Sequence, residues 1–302
     1  MPYIPRVGEW ADIRAAGVVL EDEAVLVLNK PVGLSVVGER HDTDLVRMAA
    51  AAGEDLFPVH RIDKVTSGAV LLAKELRWHG PLTRQFAGRT VGKTYLAITR
   101  PGGLPDRGVI DLPLSAGRKG RARVAAPRAS IVADVAHGTW SVPGPEVFGH
   151  VRTYPSVTTF ATVWQDERHA LLAVRPVTGR RHQIRVHLAW IGHPVEGDPL
   201  FGPTDVPRAL LHSWRLAFDA AWRGGARVRA EAAPEQDFWA PVLDRRPRPD
   251  PAALLAGAPD PPDPPPPAAP RPGAPRPAGP ARPRPAGGRR RGQKPPGTPP
   301  PR

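Results

Sequence analysis

Ala24 to Asn29 (AVLVLN) is a run of β-branched and leucine residues stopped by Lys30-Pro31 and Gly33, the pattern of a buried strand ending in a turn. Asp42 or Thr43 can cap the alanine-rich stretch that follows, and Gly53 suits its C′ position, so a helix is predicted from about Asp44 to Ala52. The polar segment GEDLFPVHRIDKVTSG then runs into AVLLAK (Ala69 to Lys74), a second buried strand, which places His60 to Asp63 in a loop at a sheet edge. A helical pattern around PLTRQFAG is started or interrupted by Gly80-Pro81, and Val91 to Thr99 (VGKTYLAIT) reads as a strand with Lys93 and Tyr95 on one face.

From Gly108 to His150 the pattern loosens. Basic residues at Arg118, Lys119, Arg121 and Arg123 lead into a Gly/Pro-rich stretch without an assignable element, and 126–152 reads as a long irregular connection. Strands resume at Val157 to Trp164 and at Ala170 to Val177, and Thr178-Gly179 makes a turn. HQIRVHLAWIG is predicted to be helical until Gly192 stops it. Ile184, Leu188 and Ile191 share one of its faces, while His182, Arg185 and Ala189 lie on another, open to a cleft.

Composition divides the chain. From Arg245 to Arg302 there are 22 of the 41 prolines, and 12 Lys/Arg against 3 Asp/Glu, so this segment carries most of the formal charge of +13. It has almost no apolar side chain larger than alanine and cannot bury enough surface to offset its ordering entropy. The expected organisation is therefore a single domain over residues 1–244 and a disordered basic tail over 245–302, whose arginines suit a polyanion. With no cysteine, disulfide scaffolds, Cys-ligated zinc and thiolate catalysis are excluded. No apolar stretch approaches the length of a membrane span and the N-terminus has no signal-peptide pattern, so the expectation is a soluble, cytoplasmic protein.

Three separated segments, NKPVGLSVVG, HRIDKVTSGAVLLAK and VTGRRHQIRVHLAWIGHPVEGDPLFG, carry the chemistry. Together they resemble the RluA-type pseudouridine synthases, whose signature His-Arg-Leu-Asp-x-x-Thr-Ser-Gly is matched with Ile62 in place of Leu. VGKTYLAI and LHSWRLAF resemble two further elements of that family, in the same order, so the resemblance covers most of residues 18–243. It implies an α+β fold with a largely antiparallel sheet, flanking helices and a central RNA cleft. The implied activity is isomerisation of uridine to pseudouridine in ribosomal or transfer RNA.

The same resemblance puts the catalytic aspartate on Asp63, the active-site tyrosine on Tyr95 and the aspartate's arginine partner on Arg185. A carboxylate can split one difficult exchange into two easier steps, a phenol can stack on a base and exchange a proton, and a planar guanidinium can hold a carboxylate in place. Arg61 is expected to hold RNA and fill the space left by a flipped uridine. His60 and Thr66 shape the loop, and with Lys93, Arg180 and His182 they complete the residues expected to meet substrate. Residues before Val18 are too few for the S4-type RNA-binding domain of some relatives. The expected partner is structured RNA, free or in a ribosomal particle, bound by a monomer.

Other chemistries lack their signatures. His182, His187 and His193 do not have the His-x-x-x-His spacing of a helical metal pair, and no metal is expected. A nucleophile elbow, a phosphate loop and a dinucleotide fingerprint are all missing, so no cofactor is implied. The competing reading is a catalytically silent RNA-binding or chaperone protein on the same fold. The intact Asp63, Tyr95 and Arg185 speak against it.

Overall fold

The computed structural model describes residues 8–38, 44–117, 121–202, 206–244 and 249–263. Helix α1 (Trp10–Gly17) leads into β1 (Val18–Glu21) and β2 (Val25–Lys30), followed by α2 (Leu45–Ala51), β3 (Phe57–Pro58), β4 (Ser67–Ala73), α3 (Leu76–Gly88) and β5 (Gly92–Thr99). Six short strands come next: β6 (Arg107–Asp111), β7 (Leu114–Ala116), β8 (Ala122–Val124), β9 (Val132–Asp134), β10 (Thr139–Ser141) and β11 (Thr153–Tyr154). The long hairpin β12 (Val157–Gln165) and β13 (Ala170–Pro176) precedes α4 (Gln183–Trp190), β14 (Leu211–Ala220), β15 (Ala226–Glu231), α5 (Gln236–Leu243) and α6 (Pro251–Ala256).

Twelve strands form one sheet in the order β1-β2-β4-β14-β5-β13-β12-β6-β10-β9, with β15 on β14 and β3 on β4. Among the strands of the described residues, only the β4–β14 and β6–β10 pairings are parallel. The largely antiparallel α+β architecture expected from the resemblance is thus the observed one. β4 is buried along its whole length, which is why it reads as an unbroken apolar run rather than an alternating one. One cluster, including Leu28, Leu72, Tyr95, Phe160, Val174 and Leu188, lies under α4. Another, built on Leu96, Ile98, Leu171, Trp214 and Phe238, covers the opposite face of the sheet under α5 and α6.

Several expectations are corrected in detail. Asp44 caps α2, its carboxylate accepting the Arg47 N–H at 3.0 Å; Asp42 and Thr43 lie outside the described residues, as do Arg118 and Lys119. α3 runs through Pro81 instead of starting or breaking there. It tolerates one missing N–H because Leu82 is buried, with Trp78 and Phe86 packed on the same cluster. The 126–152 connection is not irregular: β9 and β10 extend the sheet beyond β6, and Trp140 on β10 packs on Phe160, ring centroids 5.9 Å apart. Three-residue strands are too short to show an alternation. α4 starts at Gln183 and is buried all round from Gln183 to Leu188, so Arg185 does not lie on an open face.

Ordered structure also continues past the expected boundary at Asp244. In α6 and just after it, Leu254, Leu255 and Ala258 pack on the Trp214–Phe238 cluster. The remainder of the predicted tail, residues 245–248 and 264–302, lies outside the described residues.

Candidate active site

Asp63 sits in the loop joining β3 to β4, held from three directions. Its own carbonyl accepts the Thr66 N–H at 3.0 Å, closing a tight turn. The next carbonyl, on Lys64, accepts the Gly33 N–H at 2.8 Å from the turn after β2. Gly33 has φ 85, a conformation that favours glycine. Lys30 pins that turn from below. Its ammonium is fully buried and donates to the carbonyls of Pro31 at 2.7 Å and Leu34 at 2.6 Å. Burial pushes Lys30 down to about 7, assisted by the charge of Arg208 and opposed by that of Asp63.

The third support is Gly68, where the loop enters β4 beside β14. Its φ is 107, and a Cβ there would collide with the Ser213 backbone. The strands pair at this point, His212 opposite Ser67 and Ser213 opposite Gly68. Ser67 Oγ meets His212 Nδ1 at 2.8 Å, and Arg208 donates to the same hydroxyl while pairing with Asp237 at 2.9 Å. Polar burial in this region is therefore compensated bond by bond.

Opposite Asp63 stands Arg185 on α4, with its guanidinium shared between two carboxylates. Nε and Nη2 donate to Asp198 Oδ2 and Oδ1, both at 2.7 Å, while Nη1 donates to Asp63 Oδ2 at 2.9 Å. Asp198 is fully buried and also accepts the N–H groups of Leu200 and Phe201. The side chain of Arg185 is 3% exposed and that of Asp63 is 26% exposed, so the triad has an inner clamp and one outward carboxylate. Burial opposes the charge on Arg185, and Asp198 and Asp63 outweigh it, leaving the guanidinium more firmly protonated than usual.

Gln183 fixes the start of α4. Its Oε1 accepts from Thr178 Oγ1 at 2.6 Å and from the Arg180 N–H at 3.0 Å, and its Nε2 donates to the Val157 carbonyl at 2.9 Å and to Thr158 Oγ1 at 3.1 Å. Just before it, His182 adopts φ 55, a left-handed conformation uncommon for a residue with a side chain. Its Nε2 lies 3.9 Å from Asp63 Oδ1, and its buried Nδ1 has no partner among the described residues. Burial lowers the proton affinity of this ring, Asp63 opposing and Arg185 and Arg181 reinforcing the effect.

Arg61, Asp63, His182 and Arg185 line one pocket of about 350 Å³, together with Arg181 and residues 35–38. Tyr95 stands apart from that lining, on β5, within electrostatic reach of Asp63 and hydrogen-bonded to Ser213. Burial raises its phenol to about 12, the Ser213 bond opposing and the Asp63 charge adding. At neutral pH Tyr95 is therefore held as a protonated phenol. Thr66 is buried in the loop turn. His60 is occupied by the frame: its Nε2 accepts the Leu71 N–H at 2.9 Å and its ring stacks on Phe86 at 4.4 Å, which removes it from the expected substrate contacts.

Lys93 and Arg180 are not in the Asp63 pocket. Arg180 lies over Tyr154 at 5.2 Å, sharing that ring with Arg152 at 5.1 Å, and Lys93 lines a separate groove. His187 and His193 are engaged singly, His187 with Thr158 Oγ1 and the Leu112 carbonyl, His193 with the Arg100 carbonyl. Sequence reasoning did not single out Lys30, Asp198 or Ser213. The signal for Asp198 was an acid in a Gly-Asp-Pro turn within a segment already marked by resemblance.

A family model described as RNA pseudouridylate synthase matches residues 24–190, taking in Asp63, Tyr95 and Arg185 but stopping short of Asp198. The dual-specificity RNA pseudouridine synthase RluA of Vibrio vulnificus is 33% identical over 232 residues, 72% of this chain and 81% of that protein. The tRNA pseudouridine synthase C of the same organism is 30% identical over 216 residues, 67% of this chain and 84% of the relative. Among solved structures, human RNA pseudouridylate synthase domain containing 4 aligns with TM-score 0.59 and 24% identity, covering 76% of this chain and 92% of that one, a likeness of fold.

Proposed function

The chain belongs to the RNA pseudouridylate synthase family and is of the RluA type, and on that premise we propose that it isomerises uridines of structured ribosomal or transfer RNA, with Asp63 as the group that meets the flipped nucleotide. Membership makes it an isomerase. Relatives named dual-specificity and tRNA pseudouridine synthase support the substrate classes. In this reaction the N1–C1′ bond breaks, the uracil turns, and a C5–C1′ bond forms. N1 gains a proton and C5 loses one, so no oxidant or reductant is needed.

The observation that carries the assignment of roles is the shared guanidinium of Arg185. Because two of its nitrogens are committed to buried Asp198, the third holds Asp63 Oδ2 in one place, and Asp63 Oδ1 is the oxygen left for the nucleotide. A carboxylate held in this position can serve as nucleophile or base. Arg61, exposed at the pocket rim, supports extrusion of the base, whose unstacking costs a few kcal/mol. No helix among the described residues is long and apolar enough to cross a membrane. We assign the enzyme to the cytoplasm, with its RNA substrates.

Release of tritium from C5-labelled uridine in RNA lacking modifications tests the reading, comparing the parent chain with Asp63→Asn. Release by the parent alone is expected. Equal release by the variant would remove Asp63 from the chemistry, and no release by the parent from ribosomal or transfer RNA would favour the RNA-binding alternative.

A further inference from the structure

On the reverse face of the sheet from α4, a second groove encloses about 540 Å³, against about 350 Å³ for the Asp63 pocket. Its lining is strongly cationic, Arg89, Lys93, Arg175, Arg215, Arg227 and Arg229 facing two acids, Glu231 and Asp260. The strand pairing explains the concentration. Arg215 lies opposite both Thr94 and Glu231, and Ala217 lies opposite both Gly92 and Arg229, so these positions share one face. β15, β14, β5 and β13 are consecutive neighbours, and their arginines therefore spread over roughly 15 Å at ordinary strand spacing. That width suits several phosphates in a chain better than one small anion.

Part of this charge is neutralised within the chain. Arg215 pairs with Glu231 at 2.8 Å and Arg227 with Asp219 at 3.0 Å. Arg89 and Arg229 are exposed and have no carboxylate partner among the described residues. Lys93 is held down to about 8, first by burial and then by the charge of Arg89. The segment after α6 supplies anions of its own: Asp260 lines the groove and Asp263 reaches Arg175 at 3.2 Å.

The groove also communicates with the cleft. Arg89 acts electrostatically on both Lys93 and Arg180. Lys93 Nζ lies 3.6 Å from where a Cβ on Gly179 would stand, in the turn that precedes α4. Arg180 and Arg152 flank Tyr154 on that side, and Arg181 lines the Asp63 pocket. A line of cations thus runs from the reverse face, around the start of β5, to the site.

We propose that this groove is a second RNA contact, holding the phosphate backbone of a strand that flanks the target uridine, and that Asp260 and Asp263 compete with that strand for its arginines. The proposal rests on the reading of the protein as an RNA-modifying enzyme. It places part of substrate selection outside the Asp63 pocket, in backbone contacts that report RNA shape rather than sequence.

The test is the salt dependence of binding of the full chain to an unmodified transfer RNA transcript and an unmodified large-subunit ribosomal RNA fragment. Arg89→Gln/Arg229→Gln is expected to flatten the plot of log K against log salt by about 1 to 2, one for each phosphate that is no longer neutralised. Asp260→Asn/Asp263→Asn should bind several-fold more tightly. Arg168→Gln, an exposed arginine at the hairpin end of β13 remote from Arg175, is the charge control. A double arginine variant with the parent's slope, a control that flattens the slope as much, or an asparagine variant with the parent's affinity overturns the proposal. Tritium release by the parent from the same RNAs separates the two readings. Release with unchanged slopes sinks the groove and leaves the isomerase, whereas altered slopes without release leave the groove and sink the isomerase.

Discussion

Arg185 does two jobs that only a guanidinium can combine, gripping Asp198 with two parallel bonds and Asp63 with a third. Lysine keeps the charge but has no planar fork, so it can satisfy one carboxylate well and the other poorly. Arg185→Lys is therefore expected to lower the single-turnover rate on the order of 100-fold, the scale of a misplacement of about 1 Å, with thermal melting used to confirm that the fold survives. A rate within threefold of the parent would show that the fork does not position Asp63. Resemblance made Asp63 and Arg185 legible in the sequence, because both lie inside ordered motifs. Asp198 was not: the pairing of residues 185 and 198 depends on how the turn after α4 folds back, and no periodicity encodes that. Lys30 was read as part of a stop signal, since a lysine beside a proline normally means solvent. Its burial follows only from two carbonyls of the next turn converging on the ammonium.

At the scale of elements, three histidines act as ties, His187 and His212 buried and His60 half-buried. His60 accepts from β4 at the Leu71 N–H, His187 joins α4 to β12 and to the Leu112 carbonyl, and His212 on β14 joins Ser67 to the Ala232 carbonyl. Burial is the leading cause that lowers all three, to about 3 for His60 and about 4 for His187 and His212. In the unfolded chain each would take a proton near pH 6.5. Between 6.5 and about 4 the unfolded state then binds more protons, so stability is complete above 6.5 and falls as the solution is acidified through that window. Urea unfolding of the parent at pH 7, 6, 5 and 4.5 should show that decline, and His187→Gln should make it shallower. A curve flat from 7 to 4.5 would mean that these rings are not neutral in the fold. Of the three, the sequence showed His187 only as part of a rejected metal set, His60 as a residue of the substrate loop, and His212 only inside the LHSWRLAF element. What they tie together depends on strand order, and the short strands between Arg107 and Ser141 gave no pattern from which to infer it.

For the whole molecule, composition draws the line at residue 245, and ordered structure continues past it. Proline and arginine counts from residue 245 onward describe a chain that cannot bury a core of its own, and that reasoning overlooks PAALLAGAP, which uses the core of its neighbour. Asp250 caps α6 by accepting the Ala252 N–H at 3.0 Å, and Leu254, Leu255 and Ala258 settle on the cluster of Trp214, Phe238 and Trp239. Two half-buried leucines at about 1 kcal/mol each contribute about 2 kcal/mol, which in a domain of this size corresponds to a melting shift of about 4–8 °C. Removal of residues 265–302 and removal of residues 245–302 should therefore differ, the longer deletion melting several degrees lower by calorimetry. Leu254→Ala/Leu255→Ala in the full chain should reproduce most of that difference, because the effect belongs to the apolar contact and not to chain length. Equal melting temperatures for the two truncations would mean that α6 adds nothing to the body, and would return the domain boundary to Asp244.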